Sequence, residues 1–132
     1  MLKSLCEYIT ASGNLSDLVI GDTLHAGHIP DSAEHLCSCV LERIGEKNNP
    51  YLLDQRRAPF QIFTRGASYF TARDEAQRIF EWLIAKENST EIDIGDFVIH
   101  HIVGIAPAYI GQDEKFRYCF SANVTIIHKR KE

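Results

Sequence analysis

From Phe116 to Ile127 the side chains alternate without a break. Phe116, Tyr118, Phe120, Ala122, Val124 and Ile126 fall on one side, and Arg117, Cys119, Ser121, Asn123 and Thr125 on the other. A period of two held over twelve residues fits a strand with one face buried and one face wet, so the chain must build a sheet with something laid over one side. At ~3.3 Å per residue this strand extends roughly 40 Å. A partner precedes it in "FVIHHIVGIA", residues 97–106, which is apolar on both faces. The intervening "PAYIGQDEK", residues 107–115, is longer than a tight turn and predicts a projecting loop on a large hairpin.

The cover for the sheet is also visible. In "TARDEAQRIFEWLIAK", residues 71–86, Ala72, Ala76, Ile79, Phe80, Leu83 and Ile84 recur at steps of three and four and form one apolar stripe. Thr71 is the expected cap, with Asp74 at the third helical position and Asp74 and Glu75 near the positive end of the dipole. Arg73, Asp74, Gln77, Arg78 and Glu81 occupy the outer face, where Asp74 and Arg78 are spaced to pair. Sixteen residues at ~1.5 Å each cover less length than the strand, so part of the hairpin is expected to protrude.

Upstream, Leu2, Leu5, Cys6 and Ile9 predict a short helix stopped at Gly13. Extended structure is expected around Thr23–Ile29, ending at Pro30. "HLCSCVLERI" (35–44, stopping at Gly45) and "PFQIFTR" (59–65) are strand-like. The four prolines, at 30, 50, 59 and 107, fall between candidate elements, and no linker or repeat divides the chain. At 132 residues it is read as a single domain, residues 1–132.

Little in the chain suggests chemistry. The net charge of −4 argues against a whole-domain grip on nucleic acid, and the basic run from His128 to Lys131 has the character of a solvated tail. No apolar run approaches the ~20 residues of a membrane span, and "MLKSLCEYITASG" is too broken by Glu7 for a signal-peptide core, so an intracellular origin is expected. Cys6, Cys37, Cys39 and Cys119 are then reduced thiols, with Cys37 and Cys39 on one face of a strand. His25, His28 and His35, together with the cysteines, supply enough donors for zinc, yet their spacing matches no ligand pattern. His100 and His101, adjacent on a strand, point to opposite faces, one toward the core and one toward water. Asp113 and Glu114 sit on a loop tip where water would hold their titration near normal. There is no P-loop, GxGxxG, nucleophile elbow or HExxH. What is left is a surface for association: an over-long hairpin whose edges can pair with other chains, in a ring if the contact closes and a filament if it does not.

"RGASYFTARDEAQRIFEWL", residues 65–83, followed by "PAYIGQDEKFRYCFSANVTI", residues 107–126, resembles the bacteriophage minor capsid proteins that group with the tail terminator, or tail completion, proteins of long-tailed phages. Tyr69, Ala72, Ala76, Ile79 and Leu83 carry the helical half. Pro107, Ile110, Gly111, Asp113, Arg117, Tyr118, Phe120, Ser121 and Asn123 carry the other, over roughly residues 58–127. Phe116 departs from the pattern, since glycine is expected in that turn.

The resemblance implies an α+β fold: a mixed, mainly antiparallel sheet of four to five strands, two helices packed on one face, and a long protruding C-terminal β-hairpin. It implies a non-enzymatic virion protein without cofactor or metal, assembled in the host cytoplasm as a ring, expected to be a hexamer, at the head-proximal end of the tail. Its partners would be the major tail tube protein and a head-completion or connector protein, with DNA passing through the lumen ungripped and no membrane contact. Tyr109, Gln112, Asp113, Glu114, Arg117, Tyr118 and Asn123 would lie at the subunit or partner contact. For Arg117 the alternative is a pairing with Asp113 or Glu114 that only stiffens the hairpin. A head-completion or neck protein is the nearest alternative function, and a small metal- or ligand-binding α+β domain is the alternative in a different class.

Overall fold

A computed structural model describes residues 1–12, 15, 17–43, 56–85 and 92–130. The expected stops at Gly13 and Gly45, and Pro50, lie outside these residues. The elements run α1 (Leu2–Ala11), β1 (Leu24–Ala26), β2 (Cys37–Glu42), β3 (Arg56–Gly66), α2 (Tyr69–Leu83), β4 (Ile92–Ile94), β5 (Phe97–Gln112) and β6 (Tyr118–Arg130). The fold is α+β, with both helices on one side of a single mixed sheet.

Six strands, ordered β1-β2-β3-β6-β5-β4, make that sheet. Among the described strands only β1 and β2 run parallel. The sixth strand, β4, goes beyond the four to five expected. It is three residues long, too short for a periodic pattern to show, and it exists because Gly95 turns it back on β5, pairing Ile94 with Phe97. Gly95 has φ +57, and a Cβ there would run into the Ser4 side chain of α1. The position therefore needs glycine for both backbone and space.

The apolar stripes of both helices meet over the sheet. Leu5, Cys6 and Ile9 of α1 and Ile79, Phe80 and Leu83 of α2 join Val40, Phe60, Ile62, Ile99, Ile102, Ala122, Val124 and Ile126 in one core. Helix α1 touches β1 and β2 as well as β4, the two ends of the strand order, so the sheet curls around it. Helix α2 lies on β3, β5 and β6. It begins two residues before Thr71, with Ser68 as N-cap and no capping side chain, because Tyr69 is drawn into an aromatic cluster. Arg78 pairs with Asp17 (2.9 Å) and Glu75 (2.6 Å), and Asp74 meets Arg73 instead. Glu75 is nearer on the helix than Asp74, and Asp17 approaches from another segment.

The opposite face of the sheet is only partly covered. Ile29 and Ala33 pack on Cys37, Cys39, Leu41 and Phe63, so Cys37 and Cys39 do share a face. The two margins of the sheet differ. At β1 the chain seals its own edge: the Leu24 amide donates to Val19 O (3.1 Å), and the Gly21 amide donates to Leu24 O (2.8 Å). At the other side β4 pairs with Phe97–Ile99, and among the described residues no strand lies beside β5 on that side from Ile102 onward.

The expected loop at 107–115 is a correction. Residues 107–112 belong to β5, and the connection shrinks to 113–117. Register shifts at Ile99/His101, Ile105/Ala108 and Tyr109/Gly111 absorb the irregular residues as bulges. Pro107, which has no amide to donate, is tolerated because it lies on an edge strand. The first shift falls at His100, which is half-buried beside an exposed His101, so neither imidazole reaches the core as alternation predicts.

Candidate assembly surface

The tip of the β5–β6 hairpin is built around one carboxylate. Asp113 Oδ1 accepts the backbone amides of Lys115 (3.0 Å) and Arg117 (2.9 Å), and its own amide donates to Arg117 O (3.0 Å). Gln112 Nε2 donates to Phe116 O (3.0 Å). Such side-chain to backbone bonds replace the ladder where the chain reverses. Phe116, where the pattern calls for glycine, takes φ +62 and remains 75% exposed. A large residue held left-handed and in solvent costs conformational energy that no packing in this chain returns.

Arg117 is the opposite case, with 7% of its side chain exposed. Its Nε donates to Asp113 Oδ2 (2.7 Å), its Nη2 to Asp31 Oδ1 (2.9 Å), and its Nη1 to the carbonyls of Asp31 (3.0 Å) and Ala33 (2.9 Å). The guanidinium fork thus ties the hairpin tip to the segment before β2, a span only arginine can bridge. Burial pushes the Asp113 carboxyl up, but the Arg117 and Lys115 hydrogen bonds outweigh it and hold it below the ordinary carboxylate range. Asp31 is also lowered, chiefly by Lys115 and then Arg117.

The other expected contact residues divide by position. Tyr109 and Tyr118 sit on the helix side, in a ring cluster with Tyr69 and Phe120 at centroid distances of 5.2 to 6.3 Å. Glu114 is exposed. Asn123 lies away from the tip, opposite Ile105, and accepts a hydrogen bond from Arg43 Nη1 (3.0 Å). The structure adds residues that sequence reasoning missed. Val103, Ile105 and Ile110 on β5 are exposed, Ile105 at 71%. Their signal was an apolar run beside Pro107, which marks an edge rather than a core strand. Asp31 was missed because 86 positions separate it from Arg117, and nothing local announces the pairing.

Among the described residues no group of three or more His, Cys, Asp or Glu could hold a metal. Burial, followed by the neighbouring Cys37, pushes the Cys39 thiol up to about 12. Cys37 and Cys119 are also raised by burial, which disfavours the thiolate a metal needs.

The model of a family described as "Bacteriophage tail terminator protein" matches residues 13–130. The chain belongs to that family. The match reaches well upstream of residue 58 and takes in the segment that carries Asp31 and the β1–β2 unit as well as the hairpin. A search of curated proteins finds no match. A tail terminator is a structural, non-enzymatic component of the phage tail with a role in ending tail tube assembly, and it interacts with the tube.

Proposed function

We propose that this tail terminator closes into a ring, expected to be a hexamer, on the head-proximal end of the tube. There it stops polymerisation and presents a surface to the head-completion or connector protein. The observation that carries the reading is the β5 edge from Ile102 to Gln112, which has no strand beside it among the described residues and bears Ile105 and Ile110 in solvent. Monomeric proteins rarely leave so long an edge open unless another chain fills it. The bulges and Pro107 restrict which chain can do so. In this arrangement Tyr109, Gln112 and Glu114 touch the neighbour, while Asp113, Arg117 and Tyr118 hold the tip that presents them. Asn123 lies beside Ile105 on the same contact. Contact between unlike patches, repeated around an axis, closes a ring. The acidic net charge suits a lumen that lets DNA pass without gripping its phosphates.

Purified protein mixed with tail tubes and imaged by negative stain provides the test. Rings with a central hole should cap one tube end, and the Ile105→Asp/Ile110→Asp variant, folded by circular dichroism, should leave the ends bare. Uncapped tubes with the wild-type protein, or equal capping by the variant, would refute the reading.

A further inference from the structure

Two arginines grip the segment before β2, and they are not equivalent. Arg117 has two carboxylates. Arg65 of β3, only 7% exposed, donates Nη2 to the neutral carbonyls of Pro30 (2.9 Å) and Ala33 (2.8 Å). Among the described residues no carboxylate pairs with Arg65; its buried Nε donates to no oxygen or nitrogen acceptor, and its further polar neighbour is the weakly accepting Cys37 thiol. A guanidinium removed from water without a counter-ion is costly, and an unused donor beside it adds to the cost. This charge lines a groove of about 280 Å³ on the sheet face away from the helices. Ile29, Leu41 and Phe63 form its apolar walls, Gln61 and His28 are its other polar members, and among the described residues no acidic one lines it.

We propose that this groove is a docking site for an acidic segment of a partner protein, a carboxylate side chain flanked by an apolar one. The carboxylate supplies the counter-ion that Arg65 lacks, and the apolar neighbour lies on Leu41 and Phe63. Charge complementarity selects this occupant: a neutral apolar segment would bury the guanidinium further without compensating it. The site lies on β2 and β3 rather than on the β5 edge, so it stands or falls independently of the ring.

The test is a titration of the full-length protein, followed through its backbone amide resonances, with acetyl-Leu-Glu-Leu-amide and its neutral counterpart acetyl-Leu-Gln-Leu-amide. The glutamate peptide should shift amides of β2 and β3 and bind about tenfold or more tightly than the glutamine peptide. Leu41→Glu places a like charge in the groove at a half-buried position, and it should abolish that preference while thermal unfolding stays close to wild type. Arg65→Met should do the same, but it also loosens the 30–33 segment, so Leu41→Glu is the deciding variant. Equal binding of both peptides, shifts confined to other surfaces, or no shift at millimolar peptide would overturn the proposal. So would the same amides moving on simple dilution of the protein, because the occupant would then be a second copy.

Discussion

Replacing Arg117 with methionine keeps much of the stem volume and removes the fork. The cost depends on what its former partners keep. Asp113 still has the backbone amides of Lys115 and Arg117. The Ala33 carbonyl still has Arg65, and the Asp31 carbonyl still has Lys115 at 3.3 Å. No partner is left with a wholly unmet buried charge, so the ~3 to 5 kcal/mol typical of a broken buried pair is too much. The ~0 to 1 kcal/mol of a solvent pair is too little for a side chain 7% exposed. The expected loss is about 2 kcal/mol, or roughly 8 °C in Tm for a domain of this size. Urea unfolding monitored by circular dichroism, with parallel thermal melts, measures it. Arg117→Lys should recover less than half, because an ammonium cannot span both carboxylates and both carbonyls. The wild-type advantage should also fade as pH drops. Asp113 and Asp31 titrate lower in the folded chain than their ordinary 3.8, so what they contribute is complete above that value and is lost as pH falls through the depressed folded values. A loss below about 0.5 kcal/mol, or full rescue by lysine, would mean that the clamp is screened by water and does not hold the tip.

Phe116→Gly should stabilise the monomer by about 0.5 to 1 kcal/mol in the same urea assay, since it relieves a left-handed phenylalanine that buries little. If it also weakens tube capping, the strain is retained for contact. Gly104→Ala should cost about 1 to 3 kcal/mol, read from the urea midpoint, because its Cβ would stand 2.7 Å from Asn123 O and 2.8 Å from the Phe80 ring. His128 is held below its usual 6.5 by burial, with the N-terminus, Arg56 and His100 adding to the effect, while the Phe97 ring packs edge-on. Below pH 6.5 the unfolded chain takes a proton that the folded chain refuses, so stability should fall from there toward the folded pKa. His128→Gln should flatten that part of the pH–stability curve.

The long periodic elements were legible in the sequence because their burial pattern repeats. The β6 alternation from Phe120 to Ile126 and the α2 stripe from Ala72 to Leu83 lead to the core residues that the structure shows, whereas Phe116 and Ile84, at the ends of the two patterns, fall outside their elements and are exposed. Short elements were not. β4 offers three residues, and its existence rests on the local geometry at Gly95 and the closeness of Ser4. The connection at 107–115 misled for a different reason. Proline and glycine suggest a loop, but an edge strand tolerates both through bulges, and whether a strand lies at an edge is a property of the whole sheet. In the assembly surface the local Asp113–Arg117 pairing was foreseeable from a spacing of four. Asp31 and the unpaired Arg65 were not, because both arise where distant segments meet across the sheet.

The contrast between the two sheet margins has a further consequence. A sheet that is open on both sides can serve as a template indefinitely, each newcomer exposing a fresh side to the next. Here the Val19–Leu24 turn closes one margin with the chain's own amides and carbonyls, so a strand accepted along β5 finds nothing equivalent to extend from at β1. The sheet is therefore one-sided as a template, receptive along β5 and closed at β1, and that polarity is written into the backbone of a single subunit.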